Sequence, residues 1–307
     1  MSAFIKHENA SVRAVLKASI QAQHDAMRAW GIDPVRLLIL YNTCAHRCFF
    51  CASKGTSDRP ADDRTQWAAI REHLSPPLDD EQRRLIVAGN EPLLHPDFDK
   101  LMEHAKAQGF ESIDLMTSGV QLGVQEDLER WISLNLSSVS VPIYGVSPDV
   151  HDAIVGDTAY LRLVDALDKA HARGVTVYVH TLALQRSQEE LAPLAEMVSD
   201  RWGTTLGLAP VRDKEGQFSW TSEALSLAEI DAWLQRHSDQ VPIQLTGFPD
   251  CLGPDLPRMT NTAIGIYFRT QSTGYAEVCG GCQRRSTCPG VVQAQLDHFE
   301  SQGLTPF

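Results

Sequence analysis

Short apolar strand candidates alternate with helix-length segments along most of this chain, and that rhythm leaves few folds open. The strand candidates are residues 35–41, bounded by Pro34 and Asn42, then 85–88, 112–116, 139–144, 175–184, 205–208 and 241–245. Helical patterns fill the connectors at 98–108, 125–134, 160–173, 189–202 and 227–237, with Gly109 and Gly174 where C-caps belong. Strands joined through a helix run parallel, because a crossover of that length brings the chain back to the same end of the sheet. The pattern therefore predicts a parallel α/β sheet, open or closed into a barrel. A helical segment over 1–34 precedes it, and near Phe248 the rhythm gives way to a stretch rich in Gly, Pro and Cys. Three parts are expected: 1–34, 35–247 and a small cysteine-rich extension at 248–307.

Charge narrows the partners. The 307 residues hold 27 Lys and Arg against 39 Asp and Glu, a net −12, so a nucleic-acid backbone or an anionic lipid surface would be repelled. The expected ligand is a small molecule, with no nucleic-acid or membrane partner. Without an apolar run long enough for a membrane span or a signal peptide, the chain is expected in the cytoplasm. Seven cysteines, an odd number, then point to metal or redox chemistry rather than a disulfide framework.

Three of them, Cys44, Cys48 and Cys51, form a C-x3-C-x2-C run in the loop after the first strand candidate. Three thiolates in one loop suit an iron–sulfur cluster or zinc, and three rather than four leave one metal position open. A dithiol switch at Cys48 and Cys51 is the plainer alternative, although it leaves Cys44 without a use. Cys279, Cys282 and Cys288 form a C-x2-C-x5-C run that predicts a second metal site, either a cluster or a zinc staple. Cys251 stands 28 positions before Cys279.

The first run, with the aromatic Phe50 beside its third cysteine, resembles the hallmark of the radical S-adenosylmethionine (radical SAM) superfamily. Residues 87–98, which contain Gly89-Asn90-Glu91-Pro92, look like that family's Gly-Gly-Glu-Pro strand end. Residues 115–119 look like its Thr-Asn-Gly turn, and 139–144 with His151 and Asp152 continue the pattern. The resemblance covers residues 35–290. It implies a partial (β/α)6 TIM-like barrel with a 4Fe-4S cluster on Cys44, Cys48 and Cys51, whose open iron chelates S-adenosylmethionine. It further implies a one-electron donor of flavodoxin or ferredoxin type, and a deoxyadenosyl radical that abstracts a hydrogen atom from the substrate.

Within that resemblance, Gly89, Asn90 and Glu91 offer backbone carbonyls to the methionyl ammonium. Asn90 replaces a family glycine as the residue next best able to take positive φ. Thr117, Ser118 and Ser140 are candidate cofactor contacts, whereas His95 and His151 read as residues that fix loops. The C-terminal run resembles the SPASM and twitch extensions that bind auxiliary 4Fe-4S clusters. Cys251 then has two incompatible uses. As a fourth ligand it implies dehydrogenation, as in aminocyclitol dehydrogenases; as a hydrogen-atom donor it implies epimerisation, as in aminoglycoside epimerases. The reading leans to epimerisation of a small amine-bearing metabolite. Dehydrogenation, maturation of a ribosomal peptide and a simple iron–sulfur electron carrier stand as alternatives.

Overall fold

A computed structural model describes residues 24–25, 27–28, 32–51, 64–74, 83–211, 220–269 and 273–292. Seven strands stand in one sheet in the order of the sequence: β1 (Arg36–Leu40), β2 (Arg84–Gly89), β3 (Ser112–Met116), β4 (Leu136–Pro142), β5 (Thr176–Leu182), β6 (Leu206–Ala209) and β7 (Ile243–Leu245). Neighbours pair in parallel from β1 to β4 and again from β5 to β7. This is the parallel α/β sheet of a partial TIM-like barrel, with its seven strands on the seven strand candidates, one more than the six units that the resemblance implies. The helical segment expected at 1–34 lies almost wholly outside the described residues. Contacts divide the chain into two compact units whose boundary falls inside β5, between Val179 and His180.

The first unit runs from Pro34 to Val179 and takes in 200–204. Every residue of β1 is buried, and Leu85, Ile86, Val87 and Ala88 of β2 are fully buried too, as expected for a sheet covered on both faces. Helix Phe98–Ala107 buries Phe98, Leu101, Met102 and Ala105, the helical spacing that lays one face on the sheet. Gly109 and Gly174 take positive φ of 92° and 84°, as their expected capping positions require.

β4 begins three residues earlier than its apolar pattern suggests. Ser137 and Ser138 read as loop, yet both hydroxyls donate to the buried Asp114 of β3, which also accepts from Arg84 of β2. A buried carboxylate compensated across three strands turns two polar residues into strand.

His73, at the end of helix Trp67–His73, lies 2.8 Å through Nε2 from the Leu37 carbonyl, and burial pushes its pKa down to about 4. An unfolded histidine titrates near 6.5, so between those values the unfolded chain binds more protons than the fold does. Stability is therefore expected to fall on acidification through that window, by about 2 kcal/mol between pH 7 and pH 5 from His73 alone. Chemical-denaturation midpoints at pH 7 and pH 5 check this: His73→Gln should make the dependence shallower, leaving the share of the similarly lowered His151 and His180, and an unchanged slope would refute it.

The second unit holds the described residues up to Asp33, residues 180–199 and the described residues from 205 onward. Helix Leu227–His237 starts at a capping box in which Ser226 and Glu229 exchange side-chain and backbone hydrogen bonds. Beyond β7 the chain folds back so that Arg258 bridges to Leu245, and the Arg258 guanidinium donates to the carbonyls of Asp250, Leu252 and Gly253 at 3.1, 2.6 and 3.3 Å. These three bonds shape the loop that carries Cys251. A short antiparallel pair, β8 (Thr273–Gly274) with β9 (Val291–Val292), frames the Cys279–Cys288 stretch. Among the described residues no helix is long and apolar enough to cross a membrane.

Candidate functional site

The loop after β1 presents Cys44, Cys48 and Cys51, and none of the seven cysteines forms a disulfide. The Cys51 amide donates to the Cys48 carbonyl at 3.0 Å, and the Arg47 amide donates to the Val155 carbonyl at 2.8 Å, where helix Pro148–Val155 ends. Gly156 caps that helix at φ 67°, and a Cβ there would stand 3.2 Å from the Arg47 carbonyl oxygen. Burial pushes the Cys44 thiol up to about 11, with further upward contributions from Glu91 and Cys51. The Cys48 thiol is pushed higher still, by burial first and then by Cys51 and Cys44.

Such thiols stay protonated until a cation compensates them, and a bound metal inverts that balance by deprotonating its ligands. Among the described residues no group of three His, Cys, Asp or Glu side chains is gathered for a single metal ion. A cubane cluster asks for something else. Each of its irons takes one thiolate, so the sulfurs surround the cluster rather than converge on one point.

Phe50 lies edge-on to Tyr144, ring centroids 5.5 Å apart, and Tyr144 stacks on His151 at 5.7 Å. The His151 Nδ1 accepts from the Tyr144 amide at 3.3 Å, and burial holds its pKa down at about 4. His151 thus fixes the backbone beyond β4, as expected of it. His95 does similar work, receiving the Asp97 amide on Nδ1 and reaching the Thr65 carbonyl through Nε2.

At the end of β2, Gly89 adopts φ 139°, and a Cβ there would fall 2.0 Å from the Leu40 carbonyl oxygen. Asn90 corrects the expectation set for it. Among the described residues Asn135 is the one non-glycine at positive φ, so Asn90 does not substitute for a glycine conformation. It works through its side chain instead, whose Oδ1 accepts from the Asn42 amide at 3.2 Å.

Glu91 is fully buried, and its carboxylate accepts from the Leu93 amide, the Thr117 hydroxyl, and the amide and hydroxyl of Ser118. Its carbonyl accepts from Asn42 Nδ2 at 3.1 Å. Glu91 therefore organises the ends of β2 and β3, and Thr117 and Ser118 direct their hydroxyl protons to it. Ser140, on β4, is buried with its Oγ unpartnered, as are Asn42 Oδ1 and His151 Nε2. Three buried polar atoms left unsatisfied beside a three-thiol loop fit a polar cofactor carrying amine, carboxylate and hydroxyl groups. The roles of Asn42 and Tyr144 escaped the sequence reading, because a single Asn or Tyr carries no spacing signal.

In the second unit one pocket, with about 370 Å³ of empty space that includes open solvent, is lined by Cys251, Cys279, Cys282 and Cys288 together. Cys288 Sγ accepts from the amides of Asp250 and Gly290, each at 3.4 Å. Burial, followed by the nearby Cys288, pushes the Cys251 thiol up to about 11.

A parallel partial barrel with a partly buried three-thiol loop after its first strand and an organised acidic turn after its second defines an enzyme class built around a cluster and a small polar cofactor. Residues 38–198 match the radical SAM superfamily, and the chain belongs to it. This family uses S-adenosylmethionine and 4Fe-4S clusters.

The chain is 24% identical to GTP 3',8-cyclase of Rhodopseudomonas palustris over 280 residues, 89% of this chain and 79% of the relative. It is 25% identical to mycofactocin maturase MftC of Mycobacterium tuberculosis over 174 residues, 55% of this chain and 42% of the relative. Among solved structures, Streptococcus suis SuiB bound to precursor peptide SuiA superposes with a TM-score of 0.59 at 15% identity, covering 76% of this chain and 54% of that one. The chain thus spans about half of SuiB. The structure of anSMEcpe with bound AdoMet gives a TM-score of 0.55 at 16% identity, covering 69% and 61%. These relatives are a nucleotide cyclase and a maturase rather than the aminoglycoside epimerases and aminocyclitol dehydrogenases that the C-terminal cysteines suggested.

Proposed function

We propose that this radical SAM enzyme carries out a net oxidation, with Cys251 as the fourth ligand of an auxiliary cluster. The supporting observation is the shared pocket: Cys251 is among its lining residues together with Cys279, Cys282 and Cys288. A thiol committed there is not available to donate a hydrogen atom, so the epimerisation favoured by the sequence gives way to its alternative. Cys44, Cys48 and Cys51 would hold the open cluster, with Gly89, Asn90, Thr117, Ser118 and Ser140 around S-adenosylmethionine. The first cluster would supply the electron for reductive cleavage of S-adenosylmethionine to a hydrogen-abstracting radical, and the second would offer an acceptor for the substrate's second electron.

Four thiolates leave no open iron at the second site, so the substrate binds through protein groups rather than through that metal. Glu91 and Asn42 hold the strand ends, Phe50 and Tyr144 wall the cysteine loop, and an external flavodoxin- or ferredoxin-type protein supplies the electron. A match over 89% of the chain is to an enzyme named for a small polar metabolite, which supports a substrate of that class over a peptide.

The test is iron content and low-temperature EPR of anaerobically reconstituted wild type beside Cys251→Ala. Wild type should hold about eight irons, and the variant should lose or spectrally alter the auxiliary cluster. An unaltered pair of clusters in the variant would restore hydrogen donation by Cys251 and epimerisation.

A further inference from the structure

The pocket that gathers the four C-terminal cysteines is also lined by Arg284 and Arg285, which lie between Cys282 and Cys288. In a chain of net charge −12, two arginines among the residues lining one pocket, with Asp250 the one acid there, reverse the local sign. Their positions are tied to the ligands. The Arg285 guanidinium lies over the Tyr275 ring at 5.1 Å, and the Tyr275 hydroxyl donates to the Cys288 carbonyl at 2.9 Å. The Cys288 amide donates to the Arg284 carbonyl at 2.8 Å.

The charge of four thiolates and four sulfides exceeds that of the irons they bind, so a cluster held here is an anion that becomes more negative on reduction. Arginine stays protonated at any working pH, and a fixed cation near such a site favours the reduced form. We propose that Arg284 and Arg285 are charge-compensating residues for the auxiliary cluster, raising its reduction potential so that it takes up an electron. The two amides on Cys288 Sγ act in the same direction, since hydrogen bonds to a ligating sulfur also offset its charge. Both arginines are exposed, so solvent screens part of the effect, and the pair is expected to matter more than either residue alone.

The proposal rests on the four-thiolate reading above, and its test separates the two. In a full-length Cys44→Ala/Cys48→Ala/Cys51→Ala background, anaerobic reconstitution leaves the auxiliary cluster alone, and its midpoint can be read by EPR-monitored redox titration. Removing both charges, Arg284→Gln with Arg285→Gln, is expected to lower the reduced-to-oxidised ratio at a fixed potential about tenfold, equivalent to about 59 mV for a one-electron couple. Arg284→Lys with Arg285→Lys should restore most of that ratio. An unchanged midpoint in the Gln pair at unchanged iron content would overturn the proposal. Loss of iron from the Gln and Lys pairs alike would also overturn it, because the side chains would then act by packing rather than charge. A background protein that itself binds no iron would defeat the four-thiolate reading, and this proposal with it.

Discussion

Replacement of any one of Cys44, Cys48 and Cys51 by Ala is expected to abolish formation of deoxyadenosine while leaving the fold intact. Three thiolates are the minimum that holds a cubane cluster with one open iron, and S-adenosylmethionine has no other site at which to be opened. The loop contributes little apolar packing, since all three cysteines are only partly buried. The thermal midpoint should therefore move by no more than a few degrees. Iron should fall from about eight to about four per chain, as the second pocket shares none of these ligands. Deoxyadenosine quantified by chromatography after dithionite reduction reads the first effect, and iron analysis reads the second. Turnover at the wild-type rate in any of the three variants would refute the assignment.

Gly89→Ala is expected to produce the largest loss of stability of any single methyl addition in the first unit. Its Cβ would sit 2.0 Å from the Leu40 carbonyl oxygen, and the residue holds φ 139°, which an L side chain rarely adopts. The atoms in the way are backbone atoms of β1, so no side chain can swing aside. Relief requires the end of β2 to separate from β1, breaking the Asn90 amide bond to Leu40 and dragging Glu91 from Thr117 and Ser118. A cost of about 3 kcal/mol is expected, from backbone strain combined with lost hydrogen bonds. Denaturation of Gly89→Ala beside Gly109→Ala measures it. A Cβ at Gly109 meets nothing within 4 Å, so that control keeps the positive-φ strain without the clash. Equal losses in the two variants would show that close approach to β1 is not what Gly89 serves.

Much of this architecture is legible along the chain, because a parallel sheet writes itself as apolar runs at helix-length intervals. The C-x3-C-x2-C run announces its chemistry because three thiols need a shared loop. What the sequence conceals is the use of polar groups across strands. Ser137 and Ser138 look like a turn until Asp114 is placed beside them. Asn90 looks like a glycine substitute until Asn42 is seen to donate to it. Cys251 posed the hardest case, because its role depends on a loop held by Arg258 bonds to Asp250, Leu252 and Gly253, and no linear spacing encodes that fold-back. Its place among the residues lining the pocket of Cys279, Cys282 and Cys288 is the observation from which the proposed oxidation is argued.

The proposed enzyme carries one cluster with an open iron and one closed by four thiolates. EPR of the reduced, reconstituted protein with and without S-adenosylmethionine separates the two. Two cluster signals are expected, of which one shifts when S-adenosylmethionine is added while the other stays unchanged. Two signals that both ignore S-adenosylmethionine, or a single signal from about four irons in the wild type, would contradict this assignment.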